Sequence, residues 1–324
     1  MFAININYTL YSRIIIVFSF VLLNYSVFSQ LLKTDPTLLF EKWPIFNTAY
    51  IKENKIKRIT FDIIDKKDLQ EAIDRNLVEV YEFNTQGLLT RNYHTQIKRI
   101  IQEEIRNKKN KVVSIKSTFE YDTISYEYAY NSNNDLITTK YHSQNYHEGS
   151  YFRYQNHNLT REERYIENYR TLINGQTILD KLSLKYYDSI YTFKTDKQTK
   201  LVFYNNEKMP YKETFYYKAD DGKLLEISEY LSVANGKIKK HFNYSKNMVQ
   251  DATMIVDYGN PKQTIINFTY DTNNQLYSEK HTIDNKDYKE IQYIYQENGS
   301  LKSILIRSFD EKNIRIIKLY YEFY

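Results

Sequence analysis

The chain has 324 residues, a formal net charge of +5, 42% hydrophobic residues and a mean hydropathy of −0.65. It contains no cysteine, which excludes disulfides, thiol nucleophiles and cysteine-ligated zinc, so burial and sheet hydrogen bonds must hold it together. The small net charge gives no electrostatic footprint for nucleic acid.

Residues 1–29 read as a signal peptide. Arg13 is their only charged side chain, and an apolar run from Ile14 to Phe28 follows it. That run is shorter than the ~20 residues a membrane helix needs. Val27 and Ser29 stand at the small-residue positions before a cleavage site, which makes Gln30 the expected mature terminus. The chain is therefore expected to be exported, secreted or periplasmic, with no membrane span left after cleavage.

Residues 30–80 differ in pattern from residues 81–324 and are expected to form an N-terminal capping segment over the first sheet edge. Asp35-Pro36 fits the cap and first position of a short helix with Leu38, Leu39, Phe40 and Trp43 on its apolar side. Lys57–Ile64 (KRITFDII) and Leu77–Phe83 read as strands, with a loop or helical turn between them.

From residue 81 to the end one phrase recurs: two aromatics one residue apart, a polar turn, then Leu. FTYDTNNQLYSEK (268–280), YIYQENGSLKS (293–303), YAYNSNNDLIT (128–138), FRYQNHNLTRE (152–162) and FYYKADDGKLLE (215–226) are clear copies, and YEFNTQGLL (81–89) and FNYSKNMV (242–249) are looser ones. Tyr217, Tyr244, Tyr270 and Tyr295 succeed one another at 27, 26 and 25 residues. A fixed period in the twenties marks a repeat architecture. Residues two apart on a strand share a face, Asn and Asp suit the turn, and Leu restarts a strand, so each unit is a hairpin. The fold class is all-β, a long antiparallel meander of hairpins with a period of about 25 residues. Open sheets of ~20 strands curl or split, so the meander should coil on itself. The pairs Phe268/Tyr270, Phe242/Tyr244, Tyr293/Tyr295 and Phe152/Tyr154 should face the interior, and the strand Ile314–Tyr324 should close the far end. For residues 95–109, Ile97, Ile100, Ile101 and Ile105 fit a helix while Ile97, Arg99 and Ile101 alternate as on a strand; both readings stay open.

The phrase resembles YD-type (Rhs-like) β-hairpin repeats, on Tyr270-Asp271 with Leu276, Tyr130-Asn131 with Leu136, and Tyr295-Gln296 with Gly299 and Leu301. The whole chain also looks like secreted repeat proteins of Bacteroidetes. These resemblances imply architecture and export, and no activity.

Catalytic signatures are missing. The seven glycines are too far apart for a dinucleotide or phosphate loop, and there is no Gly-x-Ser-x-Gly elbow. Asp220-Asp221-Gly222 and Asp257-Tyr258-Gly259 read as turns and lack the spacing of a calcium loop. His142, His147 and His157 cluster with Glu148, but 142 and 147 are expected on opposite faces of a hairpin, so no metal is expected. The sequence thus names no catalytic, cofactor or metal residue. The leading reading is a binding or structural module for an unknown protein or glycan partner. The alternatives are a carbohydrate-active hydrolase with a carboxylate pair in a cleft, and an outer-membrane barrel ending in KLYYEFY. Arg161–Arg164 and Lys239-Lys240 place charge on both strand faces, against the last of these.

Overall fold

A computed structural model describes residues 30–41, 43–67, 71–144, 146–172, 176–206 and 209–324. The expected signal peptide lies outside them. One short helix, α1 (Thr48–Glu53), precedes eighteen strands. The first nine are β1 (Ile56–Lys67), β2 (Ala72–Phe83), β3 (Leu89–Arg106), β4 (Val112–Tyr130), β5 (Leu136–His142), β6 (His147–Gln155), β7 (Asn158–Thr171), β8 (Thr177–Lys194) and β9 (Gln198–Tyr204). The rest are β10 (Pro210–Lys218), β11 (Leu224–Leu231), β12 (Gly236–Ser245), β13 (Met248–Asp257), β14 (Lys262–Tyr270), β15 (Leu276–Ile283), β16 (Lys286–Tyr295), β17 (Leu301–Ser308) and β18 (Asn313–Phe323). Each pairs antiparallel with its sequence neighbours, and β1 pairs with both β2 and β18. The meander therefore closes into an up-and-down barrel, the curled form expected.

The repeated phrase is written by its turns. Asp271 Oδ1 accepts the backbone N–H of Asn273 and of Gln275, both at 2.8 Å, while Asn274 takes φ +60°. Asn131 and Asn84 hold their turns in the same way, with positive φ at Asn134 and Gly87. Asn, Asp and Gly tolerate that conformation best. The Tyr before the turn has its own partner. Tyr270 donates to the carbonyl of Val249 at 2.8 Å, Tyr295 to that of Leu276 at 2.8 Å, and Tyr321 to that of Leu301 at 2.6 Å. Tyr244 and Tyr130 reach Leu224 and Leu89 at 2.7 and 2.8 Å. Each hydroxyl thus ties its hairpin to the residue that restarts the chain after the preceding phrase. Because these turns come after even-numbered strands, all of them lie at one rim.

Register fixes the faces. Ile59 opposes Tyr321, Phe61 opposes Leu319, and Glu279 opposes Ile291, all pointing inward. Ile59, Phe61, Ile291, Leu301 and Ile304 lose all contact with water, and Phe268, Phe242 and Tyr293 nearly all. Burial of such side chains is worth about 1.5–3 kcal/mol each. The four aromatic pairs lie inward, with their first members more buried than their second except in the half-buried Phe152/Tyr154. Tyr277, beyond a turn, is exposed.

What fills this half of the barrel is the N-terminal segment. Phe46 packs on Tyr81 (4.7 Å between centroids) and Phe83 (5.1 Å), and Trp43 and Phe46 both meet Phe61. The sequence predicts that residues 30–80 cap the first sheet edge; in the structure β18 occupies that edge of β1, leaving none open, and Trp43 and Phe46 pack inside the barrel. The helix anticipated after Asp35-Pro36 is a run of turns over residues 36–41, because few residues separate it from Trp43-Pro44. The helix comes later, capped by Asn47, whose Oδ1 accepts the Tyr50 N–H. Residue 80 falls within β2, so the barrel has strands on both sides of that expected division. Residues 95–106 are strand. The inner wall of β3–β10 is different, lined by half-buried tyrosines and charged side chains.

Candidate binding cavity beneath the N-terminal segment

Between residues 32–45 and the inner face of β13–β16 lies a cavity of about 300 Å³. Leu39, Phe40, Trp43, Ile45, Met254 and Ile266 are its apolar lining, and Glu279, His281, Lys289 and Tyr293 are polar groups in it. Strand alternation explains these polar groups. Glu279 and His281 are two apart on β15, and Lys289 is the register partner of His281 on β16, so all three face inward.

A hydrogen-bonded chain runs through these groups. The Trp43 indole Nε1 donates to the Tyr293 hydroxyl at 3.2 Å, which donates to Glu279 Oε1 at 2.6 Å. His281 Nε2 lies 2.9 Å from Glu279 Oε2. Burial, and then the neighbouring Glu279, hold the Tyr293 phenol well above the ordinary tyrosine range, so it stays a donor.

The cations of the cavity differ in their pairing. Lys33 pairs with Asp35 at 3.1 Å. Lys240, buried on the adjoining wall, pairs with Glu41 at 2.6 Å and Glu229 at 3.1 Å. Burial works against its charge, and the two carboxylates outweigh that, raising its pKa. Lys289 has no hydrogen bond or ion pair among the described residues. Burial depresses its pKa, and the Glu279 charge only partly opposes this. A half-buried ammonium without an ion pair beside apolar side chains is a place for an anionic group.

A second polar cluster lies on the inner wall of β6–β10. Glu148 receives the Tyr146 hydroxyl at 2.5 Å and Lys185 at 3.1 Å, and Asp188 receives the Tyr211 hydroxyl at 2.6 Å. Burial raises the pKa of Glu162. Burial pushes Glu148 the same way, but Tyr146, Lys185 and Arg164 outweigh it and leave it low. One raised and one lowered carboxylate is the pattern a hydrolase would need. Here, however, the Arg164 guanidinium reaches both, at 3.3 Å from Glu148 and 3.5 Å from Glu162.

The histidine cluster needs a correction. His142 and His147 are not on opposite faces: they are register partners across the β5–β6 turn, and directly opposed residues share a face. Their Nδ1 atoms are 2.8 Å apart on the outer wall. His157 sits away from them, 3.3 Å from Asp135. Among the described residues no group of three or more His, Asp or Glu could hold a metal ion. The sequence analysis named Leu39, Phe40, Trp43 and Tyr293 only as apolar packing and assigned none of the cavity residues to a site. The available signal was the placing of Glu279, His281 and Lys289 on the face that Phe268 and Tyr293 mark as inward.

Neither a protein-family model nor a curated protein matches the chain. Among solved structures, a porin-like protein from Bacteroides uniformis ATCC 8492 aligns at 8% identity over 82% of this chain and 98% of its own, with a TM-score of 0.37. A porin-like protein from Bacteroides vulgatus ATCC 8482 aligns at 7% identity over the same shares, with a TM-score of 0.30. A structure titled TcdB2-TccC3-TEV aligns at 10% identity over 76% of this chain and 21% of its own, with a TM-score of 0.17.

Proposed function

We propose that this chain is an exported, water-facing β-barrel that works as a binding module and takes a small organic anion with an apolar body into the cavity beneath its N-terminal segment. The observation that carries the reading is Lys289, an ammonium without an ion pair among the described residues, in a cavity also lined by Leu39, Phe40, Trp43 and Met254. The hairpin phrase and its Tyr-to-carbonyl ties support kinship with YD-type repeats. The Arg164 bridge between Glu148 and Glu162 weighs against the hydrolase alternative, because it occupies the space between the two carboxylates.

A second reading, an outer-membrane barrel, is favoured by closure with an even number of up-and-down strands. Against it stands the outer wall. Asp62 and Lys318 are outward register partners, and outward ion pairs join Lys140 to Glu167, Lys200 to Glu213 and Lys239 to Glu226. A Lys or Arg facing lipid near the midplane costs about 2–4 kcal/mol. No helix among the described residues is long and apolar enough to cross a membrane, which says nothing of strands.

Trp43 is the only tryptophan and lines the cavity, so its fluorescence reports occupancy. Titration with straight-chain carboxylates of increasing length should change the emission saturably, with affinity rising with chain length until the cavity is full. Lys289→Met should weaken binding by about tenfold or more, the worth of a charge-assisted contact. An unchanged affinity in that variant would remove the reading. Recovery of the protein in urea-washed membranes, rather than in the soluble envelope fraction, would favour the second reading instead.

A further inference from the structure

The strands differ greatly in length, and the excess is concentrated in two hairpins at the rim opposite the phrase turns. β3 leaves β2 after the Glu79–His94 pair, and β4 joins β5 only from Ser125 onward. Between them, from Gln96–Asp122 to Arg106–Val112, the two strands pair with each other alone. This two-stranded ribbon is about 35 Å long at the usual rise per residue, and its base still touches the wall, where Tyr121 donates to the Arg75 carbonyl and Lys98 to Gln144. Its far end, residues 102–113, is exposed. Such a ribbon is marginally stable by itself in water.

Its tip has a particular chemistry. The turn Asn107–Lys111 places Lys108, Lys109 and Lys111 together, none of them in an ion pair among the described residues. Arg106 is adjacent and bonds to Glu104 and to the Asn110 carbonyl. Flanking this basic turn, Ile105, Val112 and Val113 are exposed, Val113 by 59%. A solvated loop would explain the lysines but not three aliphatic side chains held in water beside them. Aliphatic residues at the end of a projecting element, ringed by unpaired lysines, match the interface of an anionic bilayer: the apolar groups enter the acyl boundary while the ammonium groups meet phosphate.

We propose that the β3–β4 ribbon is a membrane-docking arm that seats Ile105, Val112 and Val113 in the surface of an anionic bilayer, with Lys108, Lys109 and Lys111 on lipid phosphates. The barrel then stands off the membrane with its charged outer wall in water. In the second long hairpin, residues 167–171 of β7 pair with residues 177–182 of β8 beyond the last β6 partner, Ile166; it projects from the same rim and exposes Leu179, Leu182 and Leu184. It gives the arm a companion on the same side.

The test is co-sedimentation of the full mature chain with vesicles of mixed phosphatidylethanolamine and phosphatidylglycerol, and with phosphatidylcholine vesicles. Binding should occur on the anionic vesicles, fall with added salt, and be near background on the neutral ones. Replacing Lys108, Lys109 and Lys111 together with Gln should weaken binding by about 100-fold. Val113→Asp should weaken it with all three lysines kept. Circular dichroism and Trp43 emission should stay unchanged in both variants, which separates loss of docking from loss of fold. Equal binding to both vesicle types, or wild-type binding by the triple variant, would overturn the proposal. So would tight binding to heparin with none to vesicles.

Discussion

The tyrosine ties between hairpins allow a quantitative prediction. Tyr130, Tyr244, Tyr270, Tyr295 and Tyr321 each donate a hydroxyl to a partly buried carbonyl at 2.6–2.8 Å. Replacing one by Phe keeps the ring and its buried area and deletes only the donor. A hydrogen bond of this kind contributes about 1 kcal/mol net. Neighbouring ties lie at least two strands apart, or about 10 Å or more, far enough for their effects to add. The five-fold Phe variant should then lose about 5 kcal/mol, a large share of the 5–15 kcal/mol that typically separates folded from unfolded chains. Urea unfolding monitored by far-ultraviolet circular dichroism would measure it. Single variants should shift the midpoint in equal small steps. Tyr277→Phe, on an exposed side chain outside the ladder, should shift it not at all. If the five-fold variant unfolds within 1 kcal/mol of wild type, the repeated Tyr is there for its ring alone.

Other outcomes rest on single places in the fold. Gly87→Ala should destabilise by about 2–5 kcal/mol, because Gly87 holds φ +79° and an added Cβ would stand 2.3 Å from the Thr48 carbonyl oxygen of α1; thermal melting would show it, and Gly222→Ala, with a similar φ and open space, should cost less. Deleting Leu319–Tyr324 should strip the Ile56–Phe61 half of β1 of its β18 partners, remove the Tyr321 tie to the Leu301 carbonyl, and cause aggregation, visible by size-exclusion chromatography. A soluble variant that melts like the full chain would contradict barrel closure. Alkaline unfolding should be marked: burial pushes Tyr128, Tyr130, Tyr216 and Tyr270 from 10.0 up to about 12. Their contribution is fully present below the unfolded value and is lost as pH rises through the folded one, so the urea midpoint should fall between pH 10 and about 12. Anion binding at Lys289 should weaken at a lower pH than for an ordinary lysine, since its pKa is depressed.

The hairpin, its period and its inward face were legible because each rests on chemistry within a dozen residues. Phe268 and Tyr270 share a face by strand geometry, and Asp271 folds its own turn through two backbone N–H groups. The same local view erred where distant chain decides. Asp35-Pro36 is a good helix start, but the residues after it are drawn into the barrel to cover Phe61, Tyr81 and Tyr293. His142 and His147 meet because a turn brings them into register, which counting along one strand does not show. The cavity was least legible of all. Trp43 and Tyr293 are separated by 250 residues and Gln30 and Leu276 by 246, and no local pattern encodes their contact. Closure of β18 on β1 leaves no edge for the N-terminal segment to cover, so its apolar side chains can be buried only inside. There they enclose a space against Glu279, His281 and Lys289, a consequence of ring closure and hydrophobic burial acting together over the whole chain.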